Sequence, residues 1–142
     1  MKNLRIVLAM FALLVGAARS SAQSYVVVVN AANPVSAVSK TMLNDVFLKR
    51  AVRFEDGQPA APVNLERTSA TRDAFSRAVH GKGTATVEAY WQGQIFAGNE
   101  TPPPTRASDA EVLAFVRGKP SAIGYVSAGA ALGSDVKVVK VN

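Results

Sequence analysis

An uninterrupted apolar run, Tyr-Val-Val-Val-Val at positions 25–29, limits the fold more than any other part of the sequence. Strands that face water on one side alternate polar and apolar residues, whereas strands covered on both faces do not. The run therefore predicts a strand buried on both faces, which is typical of parallel sheets. Asn33-Pro34 is a turn signal and ends the pattern.

The rest of the chain alternates helical and extended patterns. Helices are predicted from Ser39 to about Lys49, from Thr68 to His80, from Thr84 through the i+4 series Val87, Trp91 and Ile95, and from the capping box Ser108-x-x-Glu111 to Arg117. Strands are predicted at 60–65, 121–126 and 136–141, and a stiff extended connection at 99–106. This alternation predicts an α/β sandwich with mostly parallel pairing.

The N-terminus has the pattern of an export signal. Lys2 and Arg5 precede an apolar run of 12 residues at 6–17, and Ser20-Ser21-Ala22 supplies small residues for cleavage. A bilayer span needs about 20 apolar residues, so this run is too short for a membrane anchor. We expect residues 1–22 to be a cleaved signal peptide and residues 23–142 to be a single periplasmic domain.

The number and spacing of the basic residues exclude a nucleic-acid-binding surface. The chain has 16 basic and 10 acidic residues, but Lys2, Arg5 and Arg19 belong to the predicted signal. The remaining 13 basic residues give a mature net charge of +3 and, apart from the pair Lys49-Arg50, stand singly along the sequence. Binding to nucleic acid requires clustered Lys and Arg, so we expect no nucleic-acid partner.

Cysteine and histidine usage removes most catalytic and metal-binding constellations. The chain has no Cys and one His, His80, so disulfides, thiol chemistry and Cys-based metal sites are excluded. His80 falls in the last turn of a predicted helix, where a cation suits the helix dipole. We expect no cofactor, no metal and no catalytic residue.

The most suggestive local feature is the helix start at Thr68-Ser69-Ala70-Thr71-Arg72. The first turn of a helix presents free N–H groups, to which three hydroxyls and a guanidinium could add donors for an oxyanion. The same residue types are also typical of an ordinary N-cap, and the Asp73 carboxylate would oppose a dianion. Residue types alone leave both interpretations open.

Five spaced motifs occur in order along the chain: Val38–Arg50; Phe54-x-Asp56-Gly57 with Pro62-Val63; Ser69-Ala70-Thr71 with Arg72 and Phe75; Trp91 with Phe96-Ala97-Gly98; and Pro120–Val126. This series resembles the substrate-binding proteins of phosphate ABC transporters, the phosphate-type periplasmic binding proteins. The resemblance covers most of residues 23–142.

The resemblance implies a single-lobe, periplasmic-binding-protein-like (type 2) three-layer sandwich with a mostly parallel sheet. It further implies that Thr68, Ser69, Ala70, Thr71 and Arg72 bind inorganic phosphate or a similar oxyanion. Such a protein is not an enzyme, and its partner would be a membrane permease of ABC-type uptake or another envelope protein.

Three departures from the family favour an alternative, a ligand-free interaction module of the envelope. Ala70 stands where the family prefers glycine, Leu65 where it commonly has arginine, and the first of the two lobes is missing. A hydrolase is excluded on geometry. Ser69 and His80 are 11 residues apart on one predicted helix, which separates them by about 16 Å.

Overall fold

The computed structural model describes residues 24–142, so the predicted signal peptide at 1–22 lies outside the described residues. The strands are β1 (Tyr25–Asn30), β2 (Ala37–Val38), β3 (Ala61–Pro62), β4 (Asn64–Leu65), β5 (Thr105–Arg106), β6 (Ala122–Ser127) and β7 (Val136–Val141). The helices are α1 (Lys40–Phe47), α2 (Ala70–His80), α3 (Thr84–Phe96) and α4 (Asp109–Arg117). Within residues 24–142, none of these helices has both the length and the apolar character that crossing a membrane requires.

The main sheet has five strands in the order β2-β7-β1-β6-β3. β1 is antiparallel to both of its neighbours, β6 and β7, while β2 is parallel to β7 and β3 is parallel to β6. Every strand of this sheet except β1 therefore points the same way, and the predicted mostly parallel sheet is confirmed. The continuous apolar pattern of β1 reflects its burial by helices on both faces. It does not indicate whether the strand is parallel or antiparallel to its neighbours.

Helices cover both faces of the sheet. On one face, the Phe75 ring of α2 stacks on Tyr125 of β6 at 3.9 Å and meets Tyr25 of β1 edge-on at 5.4 Å. On the other face, Asn30 Nδ2 of β1 donates to the carbonyl oxygens of Val116 and Arg117 in α4. The predicted three-layer α/β sandwich is confirmed, with β1 and β6 at its centre.

The strand predicted at 60–65 is in fact two short strands that belong to different sheets. β3 is an edge strand, where a proline is tolerated, and its bonding to β6 ends with Val63 N, which donates to the carbonyl oxygen of Ile123. The chain then crosses over, and Asn64 N donates to the carbonyl oxygen of Pro104 as β4 pairs with β5. The end of the predicted connection 99–106 thus forms a strand, and the small sheet places the start of α2 beside the proline-rich segment.

The four predicted helix starts are confirmed to within two residues, and three of them have a serine N-cap. The hydroxyls of Ser39, Ser69 and Ser108 accept N–H bonds from the first turns of α1, α2 and α4. At the fourth start the N-cap is Gly83, which makes no side-chain cap hydrogen bond, and not Thr84. Thr84 is instead the first helical residue, because its N–H group and hydroxyl both donate to Asp73 Oδ1.

Candidate functional site

The start of α2 presents unpaired donors at the surface. Ser69 has an extended backbone, and its Oγ accepts a 3.1 Å bond from Arg72 N. The N–H groups of Ala70 and Thr71 precede the helical ladder, so the helix itself supplies no acceptor for them. Thr68 and Ala70 are exposed and Thr71 is half-buried. A small anion in solution therefore has access to this helix end.

Arg72 differs from its neighbours because its side chain is buried, with 4% of the residue exposed. Its Nη1 donates to the carbonyl oxygen of Leu65 at 3.1 Å, and its Nη2 is 2.5 Å from Glu88 Oε1 on α3. The guanidinium is therefore held in place by β4 and α3. Its charge is already opposed by one carboxylate.

A groove of about 390 Å³ lies beside this helix start. Its lining residues come from the turn before α2, from α2, from α3 and from the proline-rich segment: Glu66, Arg67, Thr68, Arg72, Glu88, Pro102, Pro103 and Thr105. The groove thus contains two arginines and two glutamates. A second cavity of about 360 Å³ continues along α3 and shares Arg67, Thr68 and Glu88 with it.

Of the predicted site residues, Thr68 and Arg72 line this groove, while Ser69, Ala70 and Thr71 are not among its lining residues. Sequence reasoning did not include Arg67 in the site, although it directly precedes Thr68. It also missed Glu88, for which the sequence carries no signal, because Glu88 is on a different helix, 16 residues from Arg72.

The Asp73 carboxylate, which we expected to oppose a dianion at the start of α2, is bonded to other groups. Its Oδ1 accepts from Thr84 N at 3.0 Å, and its Oδ2 accepts from Arg77 Nε at 2.7 Å. The bond from the Thr84 backbone N–H, followed by that from Arg77, holds the pKa of Asp73 below its usual range. The Asp73 carboxylate therefore joins α2 to the start of α3, and it accepts no hydrogen bond from the N–H groups of Ala70 and Thr71.

A buried network connects Arg72 to the core. Tyr125 Oη donates to Asn64 Oδ1 at 2.9 Å and accepts from Leu65 N at 3.3 Å. Leu65 in turn accepts from Arg72 through its carbonyl oxygen. Burial raises the pKa of the Tyr125 hydroxyl. Tyr125 is a core residue that fixes β4 against β6.

His80 is not the helix-end cation that its position predicted. Its ring is half-buried, and Nδ1 is 2.8 Å from Asn44 Oδ1 of α1. Burial, and then the positive charges of Arg72, Arg50 and Lys82, lower the pKa of His80 to about 4. The imidazole is therefore neutral at pH 7 and joins α1 to α2 by a hydrogen bond.

No protein-family model and no curated protein sequence matches this chain. Solved structures do resemble it. One is from Clostridium perfringens, classed as a phosphate ABC transporter substrate-binding protein and solved with bound phosphate; it has a TM-score of 0.64 and 21% identity, over 83% of this chain and 44% of that one. An ABC-type phosphate transport receptor from Vibrio cholerae has a TM-score of 0.63 and 20% identity, over 83% and 46%.

PstS from Borrelia burgdorferi has a TM-score of 0.63 at 13% identity, over 84% of this chain and 47% of its own. Similarity at these identities shows the fold alone. The chain has a periplasmic-binding-protein-like fold and spans less than half the length of each of these structures.

Proposed function

We propose that this chain is a single-lobe solute-binding domain of the periplasm that binds phosphate or a related oxyanion at the start of α2. The observation that carries the proposal is the exposed first turn of α2, where two N–H groups without helical acceptors adjoin a groove lined by Arg67, Thr68 and Arg72. Anions bind readily at such helix ends because free N–H groups and the helix dipole act together.

Each proposed ligand-binding residue has a separate role. The backbone N–H groups of Ala70 and Thr71 donate to the anion, and the hydroxyls of Thr68, Ser69 and Thr71 add O–H donors. Ser69 Oγ already accepts from Arg72 N, but its own proton remains available to a ligand. Arg72 contributes positive charge from a fixed position, reduced by its pairing with Glu88.

The fold and the N-terminal sequence support a place in the periplasm. The solved structures of the same fold include an ABC-type phosphate transport receptor, and residues 1–22 have the pattern of an export signal. We propose that the domain is exported and that its partner is a membrane permease or another envelope protein. A single lobe cannot enclose a ligand between two closing halves, so we expect weak affinity.

Calorimetric titration with phosphate, with sulfate for comparison, tests the site. Ala70→Pro removes one proposed donor at the first helical position, which tolerates proline, and the extended Ser69 backbone suits a following proline. Thr71→Val removes a hydroxyl and retains the side-chain shape. Each change should weaken phosphate binding about tenfold, the effect of losing one charge-assisted hydrogen bond.

The matched control is Thr41→Val, because Thr41 holds the same second position in α1 that Thr71 holds in α2. This variant should bind phosphate as the unchanged chain does. Absence of saturable heat at millimolar phosphate would overturn the proposal. The proposal would also be overturned if the unchanged chain, Ala70→Pro and Thr71→Val bound phosphate with equal affinity.

A second candidate is the ligand-free interaction module, and one observation favours it. Glu88 already supplies Arg72 with a carboxylate partner, so the groove is internally neutralised. The Glu88→Gln variant distinguishes oxyanion binding from the ligand-free interaction module. If α2 binds an oxyanion, removal of this carboxylate should strengthen phosphate binding several-fold, since a competing negative charge is lost. If the groove is purely structural, the variant should lose stability and bind no phosphate.

A further inference from the structure

A separate cavity of about 180 Å³ lies at the opposite end of α2. It is formed where the end of α1, the last residue of α2 and the first half of α3 meet, and Asn44, Leu48, Arg50, His80, Lys82, Thr86, Val87 and Tyr90 line it. Its volume equals that of roughly six water molecules at about 30 Å³ each. The length of α2, about 16 Å, separates it from the helix start discussed above.

Several of the residues that line this cavity are polar or positively charged. Arg50 and Lys82 are exposed cations at its edge, and Thr86 adds a hydroxyl. None of the lining residues, all within the described part of the chain, is acidic. The groove beside the start of α2 is different, because Glu66 and Glu88 offset its arginines. No carboxylate among the lining residues offsets this charge, although the Asp45 carboxylate lies 3.2 Å from Nδ2 of the lining residue Asn44.

Two of the polar lining residues, Asn44 and His80, have a defined orientation. Asn44 Nδ2 donates to Asp45 Oδ1 at 3.2 Å, which leaves Asn44 Oδ1 as the acceptor of the 2.8 Å bond from His80 Nδ1. The imidazole is thus held in the tautomer that carries its proton on Nδ1, and Nε2 is unprotonated. The positive charges of Arg50 and Lys82 reach this ring and contribute, after burial and Arg72, to the lowered pKa of His80.

Apolar side chains also line the cavity. Leu48 and Val87 line it together with the ring of Tyr90, and the Arg50 guanidinium lies 5.7 Å from the centre of that ring. Sites that combine an apolar wall with a few convergent polar groups are typical of small organic ligands. An inorganic ion would use the cations and leave the apolar wall uncovered.

We propose that this cavity binds a small organic anion, whose charged group contacts Arg50 and Lys82 while its apolar body packs on Leu48, Val87 and Tyr90. Arginine pairs with carboxylates through two parallel N–H bonds, and lysine contributes a point charge. The proposal is independent of oxyanion binding at the start of α2, because the two sites share no residue.

The single histidine of the sequence provides a direct probe. The protein expressed from the full 142-residue chain is titrated with benzoate while the imidazole resonances of His80 are followed by NMR. A saturable shift is expected. Lys82→Gln and Arg50→Gln should each weaken benzoate binding about tenfold, and both residues are exposed, so the fold should tolerate the changes.

Two controls define specificity. Lys119→Gln removes an exposed lysine beyond the end of α4, and Ala70→Pro alters the other proposed site; both should bind benzoate as the unchanged chain does. The proposal is overturned if benzoate causes no saturable shift, or if Lys82→Gln and Arg50→Gln retain full affinity. It is also overturned if inorganic phosphate gives the saturable shift and benzoate does not.

Discussion

Arg72 shows how one side chain connects the candidate site to the core. Its guanidinium is buried against the carbonyl oxygen of Leu65 and the carboxylate of Glu88. The N–H group of Leu65 also donates to the Tyr125 hydroxyl oxygen. The position of Arg72 at a helix start was predictable from local sequence. Its partners were not, since both come from other elements.

Tyr125→Phe tests this network. Removal of the hydroxyl leaves Asn64 Oδ1 and Leu65 N buried without their partner, and an unsatisfied buried polar group costs about 1–3 kcal/mol. We expect urea denaturation to show a loss of that size in the free energy of unfolding, with the ring stack on Phe75 retained. A stability equal to that of the unchanged chain would mean that the hydroxyl bonds contribute nothing.

His80 should make stability depend on pH. The folded chain has a His80 pKa of about 4, below the ordinary 6.5, so the unfolded chain takes up a proton first as pH falls. This contribution to the free energy of unfolding is therefore complete above pH 6.5 and declines as pH falls towards 4.

Urea denaturation at pH 7 and pH 4.5 measures the decline caused by His80. His80→Gln is the matched variant, because it removes the titrating group while the carboxylates titrate equally in both chains. The unchanged chain should lose more stability between the two pH values than His80→Gln does. Equal losses would contradict a buried, neutral imidazole.

At the scale of elements, the contacts between layers decide geometry that local patterns do not contain. The predicted strand at 60–65 divides because Val63 N makes the last bond to β6, while Asn64 N donates to Pro104 and begins the pairing with β5. The stripe predicted along α3 also holds only in part: Val87 and Trp91 are buried, but Ile95 is 54% exposed. Helix α3 extends beyond the body it packs against, and Phe96 at its end is 95% exposed.

Two glycines should respond in opposite directions to alanine. A methyl group at Gly124 in β6 would lie 2.9 Å from Cγ1 of both Val112 and Val63, so Gly124→Ala should destabilise the protein by about 1–3 kcal/mol. At Gly93 in α3 a methyl group meets nothing within 4 Å. Gly93→Ala should stabilise it by about 0.5–1 kcal/mol, because alanine is the better helix former.

Thermal and urea unfolding of both variants measures these changes. Each substitution adds one methyl group, so the pair separates packing against α4 from helix propensity. If Gly124→Ala left the free energy of unfolding unchanged, α4 could not pack as closely on β6 as described. A destabilising Gly93→Ala would indicate that the outer face of α3 is covered in solution.

At the scale of the whole molecule, the described residues form one body around one core. The buried cluster includes side chains from β1 and β6 at the centre and from α1, α2 and α4 on the two faces. The chain covers 41–47% of the solved structures that share its fold. A body with one core lacks the hinge between two halves that domain closure requires.

Small-angle scattering tests this consequence. A compact domain of this size has a radius of gyration of about 14 Å, and phosphate at saturating concentration should leave that value unchanged. A decrease on addition of phosphate would indicate a closing motion, and a markedly larger value without ligand would indicate an assembly of several chains.

The sequence by itself determined the four helices, the strands β1, β6 and β7, the serine caps of α1, α2 and α4, and the helix start proposed to bind an anion. These features depend on neighbouring residues, whose periodicity and capping chemistry are local. Only the tertiary structure decided that β1 runs against the rest of its sheet, that Glu88 pairs with Arg72, and that His80 is neutral. Those outcomes depend on charges, hydrogen bonds and desolvation between residues far apart in the chain, which no local pattern encodes.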